Sequence, residues 1–383
     1  MPKSRLALCG AVLTAVLGAW LAPASAGPSI LVDANTAKVI EQNDAFHRWY
    51  PASLTKLMTA YVAFRAVQQG EVTLASPVRI TARAAAEPPS KMGYPPGTVI
   101  TLDNAIKMIM VKSANDVATA IGESLAGSQE AFAARMNAEA KRIGMTGSNF
   151  VNAHGLHDER QYTTARDLAV LGLTLRAEFP QYALYYKLEA IGSGKDVIEN
   201  HNTLIGRFEG ADGMKTGYTC PAGYNLVATA TRNGRTMLAV VIGAMSVATR
   251  ADEAADLLAK GFATSPAAEA PTLATLPVSG TANDQAVNMR ETVCSQQAAK
   301  ARRDALDENG RLVFKSAHMT GGLLPPPRVT EIAIGGATGP ASPFLPKFER
   351  PSEVNGLPVP LPRPERPGEA TASADATANG SAQ

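Results

Sequence analysis

Between residues 28 and 262, apolar positions follow a strand pattern at both ends and a helical pattern in the middle. Two short apolar runs, 30–32 and 38–40, flank the polar stretch Asp33 to Thr36 and predict a β-hairpin. A second pair of β-type runs, 226–231 and 236–242, is joined through Asn233-Gly234, a strong signal for a two-residue hairpin turn. Apolar spacings of three and four predict helices over 52–67, 102–109, 116–126, 130–143, 164–176 and 251–262. We therefore expect an α/β body in which the terminal strands share one sheet.

The first 26 residues have the three parts of a secretory signal peptide. Lys3 and Arg5 precede an apolar run from Leu6 to Leu21, and Ala24-Ser25-Ala26 is a small-residue cleavage site. The run is shorter than the ~20 residues that a membrane-spanning helix needs, which favours export over a membrane anchor. We expect a mature chain that begins near Gly27, in the periplasm or at the outer face of the cytoplasmic membrane.

After residue 263 the chain becomes rich in Ala, Pro and Thr. Within this part, 287–314 is compatible with ordered structure and 328–334 is typical of a short strand. Residues 340–367 are proline-rich, and 368–383 have too few apolar side chains to fold alone. The whole stretch 340–383 lacks the apolar stripe of an interfacial membrane anchor. The predicted organisation is a signal peptide (1–26), a main domain (27–263), a small, partly ordered region (264–339) and a disordered tail (340–383).

Composition and charge limit the classes of function. Apolar residues make up 45% of the chain and charged residues 18%, as in globular proteins. The net charge of +2 comes from the signal peptide, so the rest is formally neutral. A neutral chain argues against nucleic acid or an anionic membrane as the main partner.

The cysteines and histidines are the candidates for cross-linking and metal binding. Only Cys220 and Cys294 follow the signal peptide, and an exported pair suggests a disulfide, with two separate buried thiols as the alternative. His154 and His157 lie close together in the sequence but do not have the spacing of a zinc H-E-x-x-H motif. A loop histidine held by hydrogen bonds is the favoured interpretation, and we expect neither a metal nor another cofactor.

Three short motifs carry the candidate chemistry, and each occurs once: Ser53-Leu54-Thr55-Lys56, Ser113-Ala114-Asn115 and Lys215-Thr216-Gly217. On a helix, residues three apart share a face, so the Ser53 hydroxyl and the Lys56 amine can meet. A serine needs such a base to become a nucleophile, and a lysine serves as one only when burial or a nearby cation lowers its pKa. Each motif alone is also explained by a helix cap or a turn. Three single occurrences in this order are much more specific.

The motifs resemble those of serine-type D-Ala-D-Ala carboxypeptidases, the low-molecular-mass penicillin-binding proteins. Four segments between residues 28 and 262 carry the similarity: 50–59 around the serine, 113–116, 154–156 with 161–167, and 213–219. The resemblance implies a penicillin-binding-protein/β-lactamase-like transpeptidase fold, with a mixed sheet built from N- and C-terminal strands and a helical subdomain. It also implies peptidoglycan stem peptides as substrates and β-lactam antibiotics as covalent inhibitors.

The resemblance further implies catalytic roles. Ser53 would attack the penultimate D-Ala carbonyl, with neutral Lys56 as general base and Ser113 relaying the proton to the leaving amine. Lys215 would keep Lys56 neutral by like-charge repulsion.

Substrate binding is implied for five further residues. Asn115 would bind the substrate amide, and Thr216 and Arg250 would bind the terminal carboxylate. Gly217 would let the substrate approach the strand, and the backbone N–H of Tyr218, with that of Ser53, would form the oxyanion hole.

Three other functions are compatible with parts of this pattern. A β-lactamase needs a glutamate followed closely by Leu-Asn, whereas Glu159 is followed by Arg160-Gln161-Tyr162-Thr163. A non-catalytic wall-binding protein is disfavoured because all the motif residues are intact. A DD-endopeptidase that cleaves peptidoglycan cross-links uses the same residues and stays open.

Overall fold

The computed structural model describes residues 27–193, 196–280, 285–322 and 324–347, and the backbone of 353–354 and 357–358. The predicted signal peptide and residues 359–383 of the predicted tail lie outside the described residues. The first compact unit extends to Pro346. A second unit begins at Lys347, and the described residues after Lys347 form the strand pair β11 and β12.

The strands and the α-helices are numbered separately, each in chain order. The strands are β1 Ser29–Asp33, β2 Lys38–Asn43, β3 Pro77–Arg79, β4 Val99–Thr101, β5 Ala190–Ser193, β6 Asp196–Glu199, β7 Ala211–Thr219, β8 Gly223–Arg232, β9 Arg235–Ala244, β10 Val329–Glu331, β11 Glu353–Val354 and β12 Leu357–Pro358. The α-helices are α1 Thr55–Gln68, α2 Ala82–Ala86, α3 Leu102–Val111, α4 Asn115–Ala126, α5 Gln129–Arg142, α6 Ala165–Glu178, α7 Val247–Ala263, α8 Arg290–Val293 and α9 Gln296–Asp304. Short 3₁₀ helices occupy Ala52–Leu54 and Pro180–Tyr186.

The central sheet joins strands from both ends of the main domain, in the order β2-β1-β9-β8-β7. The α/β fold class is confirmed. All four pairings in this sheet are antiparallel, however, so the expectation of a mixed sheet is wrong. The reason is that β7, β8 and β9 follow one another through hairpins, and β1 adds beside β9 in the antiparallel sense. Asn233 and Gly234 have φ values of 50° and 77°, as the predicted two-residue turn requires.

Successive residues of the buried strands point to opposite faces, and each face carries its own core. Ile30 and Val240 belong to the large core formed with helices α1 and α3–α6. Leu31 and Val241 belong to a smaller core with α7 on the other face. The helical subdomain and α7 therefore pack on opposite faces of the sheet. Strand β7 forms one edge of the sheet and borders the candidate active site.

The chain after residue 263 is attached to the main body at several points. Asn104 Nδ2 donates to Ala333 O at 3.0 Å, Ser76 Oγ donates to Pro340 O at 2.5 Å, and β10 pairs in parallel with β5. The small region after residue 263 therefore packs on the main body, and the boundary between residues 263 and 264 stays a prediction. In the described part of the chain, no helix has both the length and the apolar character needed to cross a bilayer.

Candidate active site

Ser53 lies in the 3₁₀ turn that leads directly into α1. The preceding residue, Ala52, has a φ of 47°, in the left-handed region that L-residues seldom adopt. The turn packs against β7 at Gly217, where an added Cβ would lie 3.0 Å from Pro51 O and 3.1 Å from Ser53 N. The resemblance implies that Gly217 lets the substrate approach the strand. In the structure, the backbone that lies close to Gly217 is that of the turn holding Ser53.

Lys56 is fully buried one turn after Ser53. Its Nζ lies 3.0 Å from Ser53 Oγ, 2.7 Å from Asn115 Oδ1 and 2.6 Å from His154 O. A neutral amine has two N–H donors and one lone pair, so it can donate to Asn115 and His154 and accept from the Ser53 hydroxyl. Burial, reinforced by the cation of Lys215, holds the pKa of Lys56 well below its usual value, while Asp116 and Glu87 oppose the shift. The contacts and the pKa direction both fit a general base.

Ser113 and Asn115 flank the start of α4 beside this pair. Ser113 has a φ of 62° and a buried Oγ with no hydrogen-bond partner among the residues that the structure describes. Asn115 uses Oδ1 for Lys56, and its Nδ2 donates to Pro88 O at 2.9 Å. One amide hydrogen of Asn115 and the whole Ser113 hydroxyl are therefore available to a ligand.

Lys215 and Arg250 add two further buried cations, with 1% and 3% of their surfaces exposed. Lys215 Nζ donates to Thr216 O at 2.9 Å, and burial together with Arg250 lowers its pKa to about 7. Arg250 Nη1 and Nη2 each donate to a backbone carbonyl at 3.4 Å, and burial lowers its pKa to about 10. Neither forms an ion pair with a carboxylate in the described chain, so the site is suited to an anionic ligand.

A cleft of about 530 Å³ brings these motifs together. It is lined by seven residues that the sequence singled out: Ser53, Ser113, Asn115, Thr216, Gly217, Tyr218 and Arg250. Among the described residues of its lining, Glu199 carries the only carboxylate.

Two positioning groups near the site were missed in the sequence. Asn225 Nδ2 donates to Tyr50 O at 3.0 Å and its Oδ1 accepts from Gly243 N at 2.8 Å, which ties β8 to the start of the Ser53 turn. Glu87 Oε1 lies 3.3 Å from His154 Nε2. For Asn225, the signal in the sequence was an asparagine directly before the apolar run 226–231. No sequence pattern marked Glu87.

His154 is held by hydrogen bonds rather than by a metal-ligand cluster. Its Nδ1 accepts from Leu156 N at 3.0 Å, which leaves Nε2–H to donate to Glu87. His157 instead packs edge-on against Tyr50, with ring centroids 4.7 Å apart. No group of three or more potential metal ligands occurs in the described ranges.

Cys220 and Cys294 form a disulfide with a Cα–Cα distance of 5.6 Å. The Tyr218 hydroxyl lies 3.1 Å from Cys294 Sγ, and the Tyr218 ring stacks on Tyr224 with centroids 4.3 Å apart. The bond therefore ties the segment around α8 and α9 to the end of β7, beside the cleft.

The fold is that of the penicillin-binding proteins and DD-peptidases. D-alanyl-D-alanine carboxypeptidase DacD from Francisella tularensis matches with a TM-score of 0.60 and 29% identity over 63% of this chain and 71% of that chain. Penicillin-binding protein 5 from Haemophilus influenzae matches with a TM-score of 0.59 and 33% identity over 63% and 73% of the two chains.

The chain belongs to the D-alanyl-D-alanine carboxypeptidase family, whose model matches residues 19–246. D-alanyl-D-alanine carboxypeptidase DacC from Escherichia coli is 36% identical over 240 residues, 61% of this chain and 60% of that protein. DacF from Bacillus subtilis is 33% identical over 220 residues, 56% of this chain and 57% of that protein. The chain thus spans about 60% of the length of these relatives, and Arg250 and Cys294 lie beyond the family match.

Proposed function

We propose that the chain is a serine-type D-Ala-D-Ala carboxypeptidase that removes the terminal D-Ala from peptidoglycan stem pentapeptides. The observation that carries this proposal is the buried Lys56 amine, 3.0 Å from Ser53 Oγ and beside a cleft lined by the buried guanidinium of Arg250. Membership of the D-alanyl-D-alanine carboxypeptidase family supports the choice of substrate. The signal peptide predicted from the sequence supports action outside the cytoplasm, in the periplasm or at the outer face of the membrane.

Acylation follows from the arrangement of Ser53, Lys56 and Ser113. Lys56 takes the hydroxyl proton while Ser53 Oγ attacks the penultimate D-Ala carbonyl carbon. The oxyanion lies between the backbone N–H groups of Ser53 and Tyr218. Ser113, whose hydroxyl has no partner in the described structure, passes the proton from Lys56 to the D-Ala amine as the C–N bond breaks.

Substrate binding uses the remaining residues of the cleft. The terminal carboxylate is bound by Thr216 and by the buried guanidinium of Arg250, whose planar donors match a carboxylate. The free amide hydrogen of Asn115 binds the substrate backbone. Water then attacks the ester, with Lys56 again as base, and releases the shortened stem.

β-Lactams are proposed as covalent inhibitors of the same serine. The structure of penicillin-binding protein D2 from Listeria monocytogenes in its ampicillin-bound form matches this chain with a TM-score of 0.55 and 26% identity. Acylation of Ser53 by the strained β-lactam amide would use the same base and oxyanion hole as the peptide.

The proposal is tested by incubating the mature protein with a pentapeptide muropeptide. We expect release of one D-Ala per stem, detected by mass spectrometry, and none from the Ser53→Ala variant. An intact pentapeptide after prolonged incubation with folded protein would overturn the proposed activity.

A further inference from the structure

The hairpin that joins β7 to β8 carries one of the two oxyanion donors of the proposed reaction. Tyr218, whose backbone N–H is that donor, lies one residue before the end of β7 and pairs with Tyr224 near the start of β8. The two rings stack with centroids 4.3 Å apart. Tyr218 is nevertheless 41% exposed, so burial alone does little to fix its position. The placement of this donor therefore depends on what holds the hairpin end, residues 219–223.

One set of contacts attaches the hairpin end to the segment that carries Ser53. Trp49 Nε1 donates to Ala222 O at 2.8 Å, in a buried position. Ala222 is fully buried in a small cluster with Tyr50 and Ala52. Because Ala52 directly precedes Ser53, these contacts connect the two halves of the proposed oxyanion hole.

A second set of contacts comes from segment 286–302, which lies beyond the family match that ends at residue 246. Met289 N donates to Pro221 O at 2.9 Å. Val287 forms a parallel β-bridge with Trp49, and Val293 is fully buried. The segment is thus anchored in the main body and supports the hairpin end.

The Cys220–Cys294 disulfide is the covalent link between this segment and the hairpin end. Cys220 lies two residues after Tyr218, and the Tyr218 hydroxyl lies 3.1 Å from Cys294 Sγ. A sulfur in a disulfide has no proton, so the hydroxyl is the donor in this contact. The bond therefore restrains the Tyr218 backbone through Cys220, and Cys294 and Tyr224 restrain its side chain.

We propose that the Cys220–Cys294 disulfide positions the Tyr218 N–H for the oxyanion, so that opening the bond slows acylation of Ser53 without unfolding the protein. The inference rests on the proposed function, which assigns this N–H to the oxyanion hole. Oxyanion donors stabilise the transition state only when they are held where the negative charge develops. A hairpin end released from segment 286–302 samples more positions, and the donor then spends less time at the productive distance.

The test opens the bond in two ways, by substitution and by reduction. The Cys220→Ser/Cys294→Ser double variant lacks the bond. In the wild type a dithiol opens it: the dithiol is oxidised to its own disulfide, and the two cysteines become thiols. In both cases we expect kcat for D-Ala release and the rate of penicillin acylation to fall about tenfold or more, since loss of a whole oxyanion donor costs ~10²–10³-fold. KM should stay within about twofold, as for an interaction made only in the transition state.

Two controls separate this effect from a loss of stability. The dithiol should not change the rates of the double variant, which has no bond to open. Met136→Ala removes a fully buried side chain of α5, a helix that contributes no residue to the described lining of the cleft. It should lower the unfolding temperature and keep the wild-type rates. An equal fall in rate in Met136→Ala would reject the positioning role.

The ester carbonyl of the penicillin acyl-enzyme gives a direct readout of the oxyanion hole. Penicillin that is isotope-labelled at its β-lactam carbonyl places the label in the ester with Ser53. Hydrogen bonds from the oxyanion donors polarise this carbonyl and lower its infrared stretching frequency. We therefore expect a broader band at higher wavenumber in the double variant than in the oxidised wild type or Met136→Ala.

The outcomes separate this inference from the proposed function. Wild-type rates and an unshifted ester band in the folded double variant and in folded, reduced wild type would overturn the positioning proposal alone. Failure of the oxidised wild type with both the pentapeptide and penicillin would instead overturn the proposed function. If the double variant does not fold, the reduced wild type decides, with circular dichroism showing that it remains folded. Unfolding of both would also reject the proposal, because the bond would then be needed for the fold itself.

Discussion

At the scale of single residues, the proposed activity depends on a lysine whose surroundings lower its pKa. Lys56 is buried, makes three contacts through Nζ and lies near a second buried lysine, Lys215. Burial and like charge both disfavour the protonated amine. The same two effects act on Lys215, whose charged neighbour is Arg250.

The first prediction concerns the pH dependence of acylation. Lys215→Gln removes a cation that lowers the pKa of Lys56, so the protonated amine becomes more stable and the pKa of Lys56 rises. The acidic limb of the penicillin acylation rate should therefore move to higher pH. Stopped-flow acylation measured across pH checks this, with Lys112→Gln as a control because Lys112 is not among the groups that shift Lys56. An unchanged limb in Lys215→Gln would show that this lysine does not tune the base.

The second prediction concerns Arg250. A lost charge-assisted hydrogen bond is worth roughly 1.5–3 kcal/mol, so Arg250→Ala should lower kcat/KM for D-Ala release about 10- to 100-fold. Acylation by a β-lactam whose carboxylate is held elsewhere should fall much less. Arg160→Ala, at an exposed arginine outside the cleft lining, is the control. Small and equal effects on both reactions would mean that Arg250 does not bind the terminal carboxylate.

At the scale of elements, the site is assembled where α1, α4, β7 and α7 meet around the cleft. The disulfide adds the α8–α9 segment to this assembly by joining residues 74 apart in the sequence. A cross-link of this length restricts the unfolded chain considerably.

The third prediction is the contribution of the disulfide to stability. Replacing Cys220 and Cys294 together by serine should lower the free energy of unfolding by up to about 4 kcal/mol in the chain-entropy model. Urea unfolding followed by circular dichroism measures the change, and reduced wild type should resemble the double variant. Two free thiols in the unreduced, denatured wild type would contradict the bond itself.

Several elements could be predicted from the sequence because their signals are local. Apolar periodicity located six of the helices described, α1 and α3–α7, but not α2, α8 or α9. Asn233-Gly234 located a hairpin of the central sheet. The pairs β3–β4 and β5–β6 were missed because three- and four-residue strands are too short to establish a period.

The features of the site that were missed depend on contacts between distant residues. The approach of Gly217 to the Ser53 turn and the position of α9 beside the cleft are set by packing and by the disulfide. The motif residues were identified through their order and resemblance. Local patterns do not reveal which groups a side chain meets after folding.

At the scale of the whole molecule, the proposed acyl-enzyme would form in a cleft that offers little to speed its hydrolysis after reaction with a β-lactam. The only carboxylate among its described lining residues is Glu199, and the sequence lacks the Glu with Leu-Asn of class A β-lactamases. The opened β-lactam also keeps its leaving group attached, which hinders the approach of water to the ester.

The fourth prediction is a long-lived penicillin adduct. A general base contributes ~10²–10⁴-fold in rate, so the lack of a dedicated one should lengthen the life of the acyl-enzyme by that order. Intact-mass spectrometry after a penicillin pulse should show a single adduct that persists for minutes or longer. Loss of the adduct within a second, with steady consumption of penicillin, would instead indicate a β-lactamase.

The most direct test of the central claim is to locate the acylated residue. After brief exposure to penicillin, the protein is digested and the modified peptide is sequenced by mass spectrometry, in parallel with Ser53→Ala. We predict one adduct, on Ser53, and neither adduct nor D-Ala release in the variant, which should retain the melting temperature of the wild type. An adduct on another residue, or D-Ala release by folded Ser53→Ala, would contradict the assignment of Ser53 as the nucleophile.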